Sequence, residues 1–199
     1  MTESTKFLRL QQLLSTHPTI KSFLKSTAGV AEKYSDLGKT SFLSKEDLGK
    51  LGEGLGRLHM GEIDEILDSL RPPECIVAFP IRCAEHFTLF LVLVPEGRMF
   101  DWHSHPAMAG ITRCIYGELR ISAIDSMLLQ AKGKGSFFSH SREKMRVQVI
   151  KASDKETISM VEHDAYNIHK IEALEFSAFF DLLVPDYPDD TCQFYTEEK

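Results

Sequence analysis

The chain has 199 residues, 43% of them hydrophobic and 26% charged, with a formal net charge of −6. That length suits one substantial core, and the acidic balance excludes a nucleic-acid binder working through a broad basic surface. Cys75, Cys83, Cys114 and Cys192 lie too far apart for a C-x-x-C pair, a zinc-finger spacing or a small-domain disulfide framework.

The first residues, M-T-E-S-T-K-F-L-R-L-Q-Q, contain no apolar signal core, and no apolar run in the chain is long enough to cross a bilayer as a helix. With the unpaired cysteines, this sets the expectation of a cytoplasmic monomer without membrane partners.

Residues 1–72 read as a helical region. Phe7, Leu10 and Leu14 share one helical face, and Ile20, Phe23 and Leu24 continue a stripe after Pro18. Ser44 followed by Asp47 resembles a capping box ahead of Leu48, Leu51, Leu55 and Leu58. Ile63, Ile66, Leu67 and Leu70 form a further face that Pro72-Pro73 ends. The run Gly52-Glu53-Gly54-Leu55-Gly56 lacks the G-K-[ST] ending and the preceding strand of a phosphate loop. It is expected to be a flexible helix junction.

From Cys75 onward the hydrophobic period becomes strand-like. Strands are predicted at Cys75–Phe79, Phe87–Val94, Ile111–Tyr116, Leu119–Ile124, Met145–Ile150, Thr157–Val161 and Phe176–Val184. Turn residues separate them, as at Pro95-Glu96-Gly97 and Tyr116-Gly117-Glu118. Ala131–Lys144, rich in Lys, Gly and Ser, reads as an exposed hairpin insertion. Short strands without intervening helices argue for a mainly β sandwich or barrel over residues 73–199, with the helical region packed on it.

The chemistry concentrates in Gly97–Asp125, G-R-M-F-D-W-H-S-H-P-A-M-A-G-I-T-R-C-I-Y-G-E-L-R-I-S-A-I-D. On a strand, residues i and i+2 share a face. His103 and His105 can therefore grip one metal ion while Trp102 and Ser104 point away. By the same alternation Asp101 would face the metal side. His169, in Y-N-I-H-K-I-E-A, is the third candidate ligand, and His163 is its rival. Imidazole suits iron, zinc, copper and nickel alike. His17, His59, His86 and His140 are expected in surface or turn roles.

The spacing of Gly97, His103, His105 and Gly117 resembles the first cupin motif, with Gly110 where that motif usually carries a metal-binding Glu. The segment T-L-F-L-V-L-V-P-E-G-R-M-F-D-W-H-S-H-P-A-M through Asp125 is similar to the core of the thiol dioxygenases of the cysteamine dioxygenase and plant cysteine oxidase type. Their H-x-H-P-x-M motif is matched at His103–Met108, and their Y-G-x-x-x-I-S-x-x-D continuation at Tyr116–Asp125. A second block, N-I-H-K-I-E-A-L-E-F-S-A-F-F-D-L-L-V-P-D-Y, resembles the family's histidine-bearing segment and its D-x-L-x-P-P-Y motif.

The resemblance implies a cupin double-stranded β-helix holding Fe(II) on His103, His105 and His169. It also implies Asp181 as a pocket carboxylate for a substrate amine, and Tyr187 beside it. The implied substrates are dioxygen and an aminothiol, either cysteamine or a Cys-initiated peptide, with a sulfinate as product. Another metal on three histidines, or a cupin that binds without turnover, are the competing readings. The chain departs from the family's pattern at Ala107 and at Pro185-Asp186. It also has Phe194 where some animal relatives have the tyrosine of a Cys–Tyr crosslink, with Tyr195 one residue off.

Overall fold

Three of the four helices among the described residues begin where local chemistry favours a helix start. The Thr2 hydroxyl accepts the Thr5 N–H ahead of α1 (Glu3–Thr16), and α2 (Pro18–Ser35) starts on a proline, whose missing N–H costs nothing there. Ser44 caps α3 (Lys45–Gly56), its hydroxyl accepting the Asp47 N–H at 3.1 Å. The Asp47 carboxylate in turn accepts the Tyr34 hydroxyl at 2.6 Å, tying α3 to the end of α2. The last helix, α4, is Gly61–Ser69.

The computed structural model describes residues 2–35, 43–58, 61–84, 86–105, 108–124, 136–138, 145–154, 159–161, 166–184 and 192–198. His59, most of the 131–144 insertion, His140, His163 and Tyr187 lie outside the described residues. The Gly52–Gly56 run is not a junction. It forms the second half of α3, and a Cβ at Gly54 would sit 3.0 Å from the Phe23 ring. Glycine there serves the close approach of α3 to α2 rather than flexibility.

The strands are β1 (Val77–Ala84), β2 (Phe87–Val94), β3 (Met99–Ser104), β4 (Ala109–Tyr116), β5 (Glu118–Ile124), β6 (Ser136–Phe138), β7 (Arg146–Lys151), β8 (Ser159–Val161), β9 (Ile168–Ala173), β10 (Ser177–Val184), β11 (Gln193–Phe194) and β12 (Thr196–Glu198). Two five-stranded antiparallel sheets form, in the orders β1-β2-β10-β4-β8 and β11-β3-β9-β5-β7. A short parallel pair joins β12 to β6.

Side-chain alternation sorts the first sheet into two faces. Leu89, Leu91 and Leu93 of β2, with Ala178, Phe180 and Leu182 of β10, join Leu10, Ile20, Leu51, Leu55 and Leu67 of the helices in one core. The opposite face turns Val92, Val94 and Phe179 inward onto Leu119, Ile121, Ile150 and Ile171 of the second sheet. This is the cupin double-stranded β-helix, with helices layered on the outside of one sheet.

One turn ties the two sheets together. Gly117 has φ +73°, and a Cβ there would run into the Phe176 carbonyl and Ser177. Ser177, fully buried, donates its hydroxyl to the Glu118 carbonyl at 3.0 Å and accepts the Glu118 N–H at 3.1 Å. The β4–β5 turn is thereby clamped to the start of β10.

Most predicted strands coincide with observed ones to within a few residues, although β1 extends five residues beyond Phe79. The prediction passed over β9, whose I-H-K-I-E-A places Lys, Glu and Ala, poor strand formers, in the ladder. It also gave no bounds to β3, for the reason that shapes the site.

Candidate metal centre

β3 carries an extra residue. Phe100 pairs with Ile171 of β9, whereas His103 pairs with His169, so three steps on one strand oppose two on the other. Such a bulge breaks the two-residue alternation. Phe100 and His103 both turn inward, their rings 6.2 Å apart, while Asp101 is expelled to the surface. The expectation that Asp101 faces the metal side is therefore corrected. What Asp101 contributes is its backbone carbonyl, which accepts the His103 Nδ1–H at 2.7 Å.

On the outer side of the same strands, Trp102 packs with Ile124 and Ile168, and the Lys170 ammonium lies 5.4 Å from the Trp102 ring centroid. The Ser104 and Tyr195 hydroxyls bond at 3.0 Å. Tyr195 thus sits behind the histidines and not among them. Cys192 is a free thiol.

His169 stands at the start of β9, directly opposite His103. His103, His105 and His169 are all buried, and one nitrogen from each lies within 4.8 Å of the others. Ring centroids are 4.3 Å apart for His103 and His169, 4.9 Å for His103 and His105, and 5.2 Å for His105 and His169. Among the described residues no carboxylate or thiol joins this group. The Glu position of the common cupin motif, Gly110, lies in β4 opposite Leu183.

The electrostatics favour neutral imidazoles. Burial pushes all three rings below their usual pKa, His105 to about 3, and their mutual proximity adds to the shift for His105 and His169. A neutral ring is the form that ligates metal. The His169 Nδ1–H donates to the Asn167 carbonyl at 3.0 Å, as His103 does to Asp101. Each leaves its Nε2 lone pair for an ion. Three such rings fit a transition metal.

Asp181 lies on the inner face of β10, two residues beyond Phe179. On that face the Phe179 ring meets Phe100 across the barrel at 6.4 Å, and Asp181 is the next residue along it. It is half-buried, and desolvation raises its pKa to about 6 against the opposing bond from Thr112 Oγ1 at 3.0 Å. Cys114 is fully buried, its thiol pushed up to about 12 by burial, an inert thiol by that measure.

Phe194 is 68% exposed, paired with His103 across β11 and β3, with ring centroids 6.1 Å apart. Sequence reading assigned no role to Asn167 or to Phe194's place at the mouth of the site. Neither a bulge nor an edge-strand pairing leaves a simple pattern in one sequence. His17 caps α1 and approaches Glu62 at 3.7 Å, and His86 lies in the β1–β2 turn.

The sequence pattern of the PCO_ADO family matches residues 60–199, which takes in every strand and all three histidines. The chain belongs to the PCO_ADO family. The chain is similar to the 2-aminoethanethiol dioxygenase of Homo sapiens, 30% identical over 130 residues, covering 55% of this chain and 47% of the relative. The Mus musculus 2-aminoethanethiol dioxygenase is 28% identical over 128 residues, 56% and 50% of the two chains. The chain thus matches about half the length of these relatives. A double-stranded β-helix protein of Klebsiella pneumoniae superposes with a TM-score of 0.46 at 14% identity, over 70% of this chain and 91% of that one.

Proposed function

We propose that this chain is an Fe(II)-dependent thiol dioxygenase acting on an aminothiol, either free cysteamine or the N-terminal cysteine of a peptide. The observation that carries the reading is the convergence of three buried, neutral imidazoles with no carboxylate among the described residues beside them. An iron(II) ion on His103, His105 and His169 would keep its full positive charge and open positions for a thiolate and dioxygen. The overall reaction balances without a reductant. The thiol loses its S–H proton, the O–O bond breaks, two S–O bonds form, and sulfur supplies all four electrons while its bond to carbon stays intact.

The chain's own groups supply binding and orientation. The low pKa of each imidazole keeps protons from competing for the ligand nitrogens. Asp181, inside the barrel and above half ionised at neutral pH, pairs with the substrate ammonium and so sets the amine a fixed distance from the sulfur. Thr112 fixes the carboxylate's rotamer through its hydroxyl. Phe100 and Phe179, in edge contact at 6.4 Å, set apolar rings beside His103. Tyr187 is included on motif resemblance alone. The chain works as a cytoplasmic monomer, which its free thiols suit.

Metal analysis with anaerobic loading separates this from the other cupin metals. Oxygen uptake with cysteamine or a Cys-initiated peptide that appears with iron and not with zinc, manganese or nickel supports the proposal. Uptake with none of them overturns it.

A further inference from the structure

Resting on the three-histidine reading, we infer that Asn167 is a positioning residue for the metal centre, a latch that holds His105 and His169 in one geometry. The β3–β9 ladder pairs His103 with His169 and Ser104 with Ile168, so its next rung would join His105 to Asn167. The ladder stops there. The Asn167 side chain spans the gap instead, its Oδ1 accepting the His105 N–H at 2.8 Å and its Nδ2 donating to the His105 carbonyl at 3.0 Å. The same residue's backbone carbonyl accepts from the His169 ring at 3.0 Å.

Three features make this arrangement matter. First, residues i and i+2 of a regular strand are separated by about 6.7 Å, yet the His103 and His105 rings approach to 4.9 Å. Leaving the ladder after Ser104 allows the chain to curl His105 toward its partners. Second, leaving it takes the ladder partner from the buried His105 N–H, a costly outcome, and leaves the His105 C=O with the Met108 N–H at 3.1 Å. The amide, 3% exposed in total, bonds to both at once. An amide is the side chain that fits, since it offers one acceptor and one donor side by side. Third, Tyr166 adopts φ +57°, a left-handed conformation that is uncommon for a tyrosine. That local strain sits immediately before Asn167, which aims at His105 one residue ahead of β9.

The test uses the full chain and the metal alone, without substrate. Cobalt(II) is titrated into wild type, Asn167→Ala, Asn167→Asp and Ser177→Ala, following the ligand-field spectrum and the metal-induced rise in Tm. Ser177→Ala serves as the stability control, because Ser177 clamps the opposite end of the barrel. Asn167→Ala should weaken cobalt binding by about 10- to 100-fold, alter the spectrum and shrink the Tm rise. Asn167→Asp, which keeps the acceptor and loses the donor, should fall between it and wild type. Ser177→Ala should lower the apo Tm and leave the cobalt affinity unchanged. The inference is overturned if Asn167→Ala binds cobalt as tightly as wild type, or if its loss of affinity only matches that of Ser177→Ala. Failure of wild type itself to bind cobalt, with His103→Ala behaving identically, would instead overturn the metal-centre reading.

Discussion

His103 and His169 stand opposite each other in the β3–β9 register with ring centroids 4.3 Å apart, and each donates its Nδ1–H to a backbone carbonyl two residues earlier in its own chain. Two neighbouring strands thus present lone pairs to the same point by the same local device. Replacing His103 or His169 by alanine should lower the affinity for divalent metal by about 100-fold or more, since it removes a ligand and not merely a supporting bond. Circular dichroism of the apo variants should stay native, because the surrounding core is apolar and intact. Isothermal titration with iron(II) or cobalt(II) checks the first part.

Metal-stripped protein should lose stability in mild acid. His105 has a folded pKa of about 3 against 6.5 unfolded, so the unfolded chain takes up the proton first. Stability falls as pH drops below about 6.5, with about 2 kcal/mol lost from this ring alone between pH 6.5 and 5. His103 and His169 act in the same direction. Urea melts of the apo protein at a series of pH values measure the slope, and His105→Ala should make it shallower.

Asp181 acts in the opposite sense. Its folded pKa is raised to about 6, chiefly by desolvation, so its ionisation costs stability, and stability is lost as pH rises from about 4 through 6. Asp181→Asn should therefore melt higher than wild type at pH 7 and closer to it at pH 4. Its kcat/KM for an aminothiol should fall by about 10-fold or more, and the rise of that parameter through pH 6 should disappear. A thiol without an amine should lose little, which separates ammonium pairing from damage to the barrel.

Gly117→Ala should be destabilising at a distance from the metal. The residue must hold φ +73° and its Cβ would meet the Phe176 carbonyl. A cost of roughly 3 kcal/mol, or a Tm drop of roughly 6–12 °C, is expected. Cobalt affinity of the folded fraction should be unchanged.

The helical layer should melt with the barrel. Leu55 is fully buried in a core shared by α1, α3, α4 and the outer face of the first sheet. Leu55→Ala should cost about 2–5 kcal/mol and leave one cooperative transition. Two transitions in calorimetry would show that residues 1–72 fold as a separate unit.

Much of this architecture is legible in the chain because single residues act locally. The apolar run of Phe87–Val94 and the glycine at 117 announce β2 and the β4–β5 turn. The cap at Ser44–Asp47 is equally local. The histidines of the site are legible too, through the motifs that frame His103–Met108 and Asn167–Tyr187. What the chain hides depends on pairing across strands. The bulge in β3 that expels Asp101 and turns Phe100 inward is visible only against β9. The latch from Asn167 to His105 spans 62 residues of sequence. Gly54 reads as flexibility until Phe23 is placed against it.

The most direct test of the central claim follows both atoms of dioxygen. Iron(II)-loaded protein is given heavy-isotope dioxygen with cysteamine in one vessel and a Cys-initiated peptide in another, and the products are read by mass spectrometry. The account predicts a sulfinate carrying two heavy oxygen atoms in at least one vessel, dependent on iron and absent in His103→Ala. Disulfide as the sole product, or a sulfinate whose oxygens come from water, would contradict it.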